Sequence, residues 1–109
     1  MLIKIYGAAV QGIDAIVVTI EVSVEPGVGF NLVGLPDTAV KESYQRTMTA
    51  IRQSGYDYPR RSVVVNMAPA DVRKEGAAYD LPIALGILAA SESFDAARLD
   101  GFMIMGELS

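Results

Sequence analysis

Residues Asn66 to Leu88 read N-M-A-P-A-D-V-R-K-E-G-A-A-Y-D-L-P-I-A-L-G-I-L, and this stretch decides how the chain is organised. It begins inside an apolar segment, Ser62 to Met67, and crosses a loop dense in charge and glycine. It then enters a run, Leu81 to Ala90, that is apolar on nearly every side. Strand, polar loop, helix is the layout of an active-site segment, since loops carried by rigid elements hold reactive side chains. Yet the stretch contains no Ser, Thr, Cys or His. Asp80, two residues before Pro82, reads as the N-cap of the helix. A helix apolar all round is expected to be buried. The Ser62–Met67 segment lacks polar alternation and is expected to be a central strand.

Upstream, Ala15 to Glu25 alternates cleanly. Ile16, Val18, Ile20, Val22 and Val24 fall on one face, with Thr19, Glu21, Ser23 and Glu25 on the other. This is the pattern of an antiparallel sheet with one wet face. Ile3 to Tyr6 reads as a first strand, followed by a turn over Gly7 to Gly12. Pro26-Gly27 breaks the second strand, and Phe30 to Val33 is expected as its hairpin partner. Gly34-Leu35-Pro36-Asp37 is a helix entry with Asp37 as N-cap. Val40, Tyr44, Met48 and Ile51 then make one apolar stripe, and Gly55 ends the helix. Glu42 and Arg46, four apart, are placed to pair weakly.

Downstream, Ser91 to Asp100 reads as a connector with a helical turn near Asp95, and Phe102 to Met105 as a last strand. The order β-β-β-α-β-α-β predicts an α+β fold. Its form is a two-layer sandwich, a mainly antiparallel sheet with helices on one face. The chain stops four residues beyond that strand with no closing helix, so it is expected to be part of a longer polypeptide.

At 109 residues the chain amounts to one domain or a piece of one. Apolar residues make up 51% and charged residues 20%, which excludes disorder. A mean hydropathy of +0.33 is high for so small a domain and implies apolar surface covered by something else. The net charge of −4 gives no general pull toward nucleic acid or anionic membrane. With no Cys and no His, disulfides, thiolate chemistry and imidazole catalysis are excluded. No secretory signal and no apolar run long enough for a membrane span are visible, so the cytoplasm is the expected compartment.

No G-x-x-x-x-G-K-[ST] phosphate loop occurs. Gly27, Gly29 and Gly34 flank a strand and read as turn and bulge glycines. Gly76-Ala77-Ala78 precedes a helix, but Glu75 and Asp80 bracket it and would repel an anion, so a tight turn is the better reading. Two basic pairs, Arg60-Arg61 and Arg73-Lys74, stand on either side of the Ser62–Met67 strand. They are candidate contacts for nucleic acid or a partner subunit, or charges solvated and paired with Asp71, Glu75 and Asp80. Those three carboxylates do not have a spacing that fixes a magnesium site or an acid–base pair.

Four blocks carry a family resemblance: Val33 to Ser43, Val65 to Gly76, Tyr79 to Ser91, and Met105 to Ser109. Together they resemble the N-terminal domain of the ComM/YifB family, magnesium-chelatase-like AAA+ ATPases. That domain is similar in turn to the proteolytic domain of Lon and the C-terminal domain of RadA. The resemblance implies that a Lon-type K-D-G-P-S-A-G loop corresponds to Lys74 to Asp80, with Ala78 at the serine position. Without a nucleophile, peptidase chemistry is disfavoured, although Tyr79 is adjacent and the Lon-type lysine would fall beyond Ser109. What it implies instead is a non-catalytic domain supporting ring assembly, DNA contact or both. The ATPase would lie beyond residues 1–109 and act in competence and DNA branch migration. ATP and magnesium would belong to that ATPase, with no cofactor in the present chain. The implied partners are further copies of the chain, as a hexameric ring of the longer protein, and DNA. The rival readings are a degenerate Ser-Lys peptidase and a pure oligomerisation module.

Overall fold

The computed structural model describes all residues from Met1 to Ser109. Strands β1 (Leu2–Gln11), β2 (Asp14–Glu25) and β3 (Phe30–Val33) are followed by helices α1 (Thr38–Lys41) and α2 (Ser43–Gln53). Strand β4 (Ser62–Ala68) and helix α3 (Asp80–Ala90) complete the regular elements, before a short 3₁₀ turn at Ala96–Leu99. The four strands form one sheet in the order β1-β2-β4-β3. β1–β2 and β2–β4 are antiparallel, and β3 runs parallel to β4. The fold is α+β, a mostly antiparallel sheet with its helices packed on it.

The alternation of β2 has its expected meaning: Val18, Ile20, Val22 and Val24 are buried while Thr19, Glu21 and Ser23 are half-exposed. They meet Ile3 and Ile5 of β1, Val63, Val65 and Met67 of β4, and Ile83 and Ile87 of α3 in one core. β4 is central, as its composition predicts, but its burial alternates too, and Val64 and Asn66 open onto the uncovered face.

Three elements depart from the sequence reading. β3 is not a hairpin partner of β2. Glu25 already pairs with Ser62, so β4 takes the edge of β2 and β3 lies on the far side of β4. The expected turn from Gly7 is strand as far as Gln11, with the turn at Gly12 and Ile13. Gly7 lies under Met105, and a Cβ there would sit 2.7 Å from the Met105 Sδ. The last expected strand is reduced to a single parallel bridge between Met103 and Tyr6, with Ile104 N–H donating to the Tyr6 carbonyl at 2.8 Å.

The expected single helix after Asp37 is broken at Glu42 into α1 and α2. Its deeply buried face is Val40, Ser43, Thr47 and Ile51, whereas Tyr44 and Met48 are only half-buried. Ser43 and Thr47 are fully buried, and the Thr47 hydroxyl donates to the Ser43 carbonyl at 2.8 Å. α3 is buried nearly all round. Gly86 brings it against the sheet, where a Cβ would stand 2.5 Å from Val22 Cγ2. No helix is long and apolar enough to cross a membrane.

Candidate functional site

The loop from Ala68 to Asp80 leaves β4 through a cis Ala68–Pro69 peptide and returns to α3. Lys74 holds it together. Its side chain is fully buried, and Nζ donates to the Met67 carbonyl at 3.0 Å and to the Pro69 carbonyl. Burial pushes this ammonium below the ordinary lysine value, opposed by the nearby Asp71 carboxylate. The Lys74 backbone ties the loop to the helix entry: its N–H donates to Leu35 O at 3.0 Å, and its carbonyl accepts from Asp37 N–H at 2.9 Å.

Asp37 is the expected N-cap and does more than cap. One carboxylate oxygen accepts from Val40 N–H at 2.8 Å and the other from Gly76 N–H at 3.1 Å. The Val40 bond is the main reason its carboxyl lies below the usual range. Gly76, which looked able to offer its amide to an anion, already donates that amide to Asp37.

Asp80 is not an N-cap. The helix boundary falls at Tyr79, and Asp80, the first residue of α3, is fully buried against Arg46 of α2. Arg46 Nε and Nη2 donate to its two oxygens at 2.6 Å and 3.0 Å, and Leu108 N–H donates to Oδ2 at 3.2 Å. Arg46 also donates through Nη2 to the Ala39 carbonyl, and its guanidinium is held above its ordinary value chiefly by Asp80. The helix amide an N-cap would serve, Leu81 N–H, donates to the Gly106 carbonyl at 2.9 Å instead. The expected Glu42–Arg46 pair is a loose one, at 4.0 Å.

A cavity of about 560 Å³ opens beside this loop, between Ala8–Gly12 and Val72, Arg73, Glu75 and Tyr79. Ala78 offers only a half-buried methyl and a carbonyl that accepts from Gly106 N–H at 2.7 Å. The Tyr79 hydroxyl donates to the Ala8 carbonyl at 2.9 Å, and burial pushes its pKa up. The Tyr79 hydroxyl is bonded to Ala8 and the Lys74 ammonium to Met67 and Pro69, so the two are not paired as nucleophile and base. Asp71, Glu75 and Asp80 do not converge either: no three potential metal ligands come together.

The four basic candidates separate. Lys74 is withdrawn from the surface, since its ammonium faces inward to backbone carbonyls. Arg73 is exposed and bonded to Glu75 at 3.1 Å. Arg60 and Arg61 are exposed at the other end of β4, roughly 20 Å away by strand rise. There they join a residue that sequence reasoning missed, Arg52, in the last turn of α2. The only available signal was that a short loop returns the chain from Arg52 to Arg60.

Residues 20–109 match the family model described as subunit ChlI of Mg-chelatase. YifB of Escherichia coli (strain K12) is 46% identical over 106 residues, 96% of this chain and 21% of that protein. Competence protein ComM of Haemophilus influenzae is 47% identical over 106 residues, again 96% of this chain and 21% of the relative. The chain thus spans about a fifth of the length of these relatives. With a match running from the middle of β2 to Ser109, the chain belongs to the magnesium-chelatase ChlI family, in the company of YifB and ComM.

Proposed function

We propose that the chain is a non-catalytic, Lon-like scaffold domain of a magnesium-chelatase-like AAA+ ATPase that processes DNA, serving ring assembly and DNA contact. One observation carries this reading. In the loop laid out like a catalytic loop, Lys74, Tyr79 and Asp80 are all engaged in bonds that hold the fold. The charged side chains that line the cavity, Arg73 and Glu75, are paired with each other, while exposed arginines gather elsewhere. The relative ComM is named a competence protein, which supports a role in competence.

The chain carries no G-x-x-x-x-G-K-[ST] loop of the kind that cradles the phosphates of ATP. In this reading ATP and magnesium belong to the remainder of the polypeptide. Assembly draws support from the open sheet face, where Leu2, Tyr6, Val10 and Val17 are exposed.

The test is to titrate fluorescein-labelled DNA with the chain and to measure its mass by sedimentation. Binding that weakens as salt rises supports DNA contact. A concentration-dependent mass with no DNA affinity leaves a pure oligomerisation module. Peptide hydrolysis abolished by Tyr79→Phe would overturn the non-catalytic reading.

A further inference from the structure

We propose that Arg52, Tyr56, Arg60 and Arg61 form a contact site for single-stranded nucleic acid, with the arginines on phosphates and Tyr56 stacking on a base. The inference rests on the DNA-contact reading above and narrows it to one place and one strand state.

Two adjoining cavities, of about 500 and 200 Å³, share Arg52, Tyr58, Pro59 and Arg60 as lining. Arg61 lines the smaller, Tyr56 and Asp57 the larger. In a chain of net charge −4, three arginines meet here and none has a carboxylate within 4.0 Å, whereas Arg46 and Arg73 are both paired. Unpaired guanidinium groups on one rim suit the repeating charge of a phosphodiester backbone.

The floor is aromatic, with Tyr44 and Tyr58 in the lining and Phe30 packed behind Tyr44. Phe30 stacks on Tyr44 at 4.8 Å, Tyr44 meets Tyr58 edge-on at 6.2 Å, and the Arg52 guanidinium lies 5.9 Å from the Tyr58 ring centre. The Tyr58 ring lies within cation–π reach of the Arg52 guanidinium. The Tyr58 hydroxyl is buried without a hydrogen-bond partner, and burial pushes its pKa up to about 12, so it remains a neutral donor. Tyr56 is 49% exposed beside this cluster. An exposed ring flanked by arginines is the chemistry that holds unpaired bases, which a duplex does not present. Asp57 in the lining, and Glu25 beside Arg61, are the carboxylates that oppose the phosphates.

The test uses the 109-residue chain with fluorescein-labelled oligothymidylate, oligodeoxyuridylate, oligouridylate and a duplex of equal length, read by anisotropy across a range of salt concentrations. Arg52→Ala/Arg60→Ala/Arg61→Ala should weaken oligothymidylate binding at least about tenfold and flatten the salt slope by about 2, at roughly 0.7 for each phosphate no longer neutralised. Tyr56→Ala should weaken it roughly 5- to 150-fold with the slope unchanged, Tyr56→Phe should restore it, and Asp57→Asn should tighten it. Oligouridylate bound as tightly as oligodeoxyuridylate keeps the site for single strands of either sugar, and weaker oligouridylate binding assigns it to DNA. Duplex bound as tightly as the single strand with Tyr56→Ala silent overturns the single-strand assignment. DNA binding untouched by the triple substitution overturns the site while the DNA-contact reading stands. No nucleic acid bound by the unsubstituted chain overturns both. Displacement of oligothymidylate by a polyglutamate peptide at equal concentration overturns the nucleic-acid assignment and gives the rim to an acidic protein surface.

Discussion

Arg46 grips Asp80 with both ends of its guanidinium edge, Nε to Oδ2 at 2.6 Å and Nη2 to Oδ1 at 3.0 Å, across 34 positions of sequence. The pair joins α2 to the first turn of α3, and through Leu108 N–H it fastens the end of the chain to the same carboxylate. Removing Arg46 leaves the fully buried Asp80 carboxylate uncompensated, whereas Arg46 is 24% exposed and, without Asp80, still bonded to the Ala39 carbonyl. Arg46→Ala is therefore expected to cost about 3 kcal/mol or more in urea denaturation. Arg46→Lys should recover only part of the loss from Arg46→Ala, because an ammonium cannot make the fork. Equal stabilities for the lysine and arginine forms would show that the two-point geometry contributes nothing.

Lys74 and Arg73 are neighbours with opposite fates. Lys74→Ala empties a fully buried site and orphans two carbonyl acceptors, an expected loss of about 2–4 kcal/mol. Arg73→Ala breaks only an exposed pair and should change stability by less than about 0.5 kcal/mol. The folded chain holds the Lys74 proton less tightly than the unfolded chain does. Stability contributed by this group therefore rises as pH climbs through its folded pKa, until the unfolded value near about 10.4 is reached. Denaturation midpoints at alkaline pH should show that rise in the natural chain and lose it in Lys74→Met.

Asp37 gives the opposite pH dependence. Its carboxyl is depressed by the Val40 amide, so its contribution is complete above the unfolded value near about 3.9 and fades as pH falls through the folded pKa. Asp37→Ala should cost about 1 kcal/mol at neutral pH. The gap between the two proteins should close on acidification, and a gap independent of pH would remove Asp37 from the cap.

Gly86 lies where α3 crosses Val22 and Ile5. Gly86→Ala should destabilise by about 1–3 kcal/mol through overpacking, despite the gain in helix propensity. Val22→Ala should partly rescue it, since the two sites share one contact. Additive losses in the double variant would place the strain elsewhere.

Local pattern carried most of the fold. The alternation from Ile16 to Val24, the Asp37 cap and the apolar run from Leu81 to Ala90 each report on their own neighbourhood, and each matches its element. What failed was long-range. Nothing near Phe30 says that Ser62 will claim the edge of Glu25 first, which makes β3 a parallel neighbour of β4. Asp80 has the position of a cap, and only the fold brings Arg46 to it. The Arg73-Lys74 pair reads as one basic feature, but the curled loop turns the two side chains opposite ways. Arg52 joins Arg60 and Arg61 only once α2 and the loop after it are in place.

The most direct measurement is the size of the native polypeptide, found by probing a lysate of the source cells with an antibody raised against this chain. Since the matched stretch is 21% of the relatives, a band about five times heavier than 11.6 kDa is expected. A band at 11.6 kDa would contradict the account, leaving no ATPase for this domain to serve.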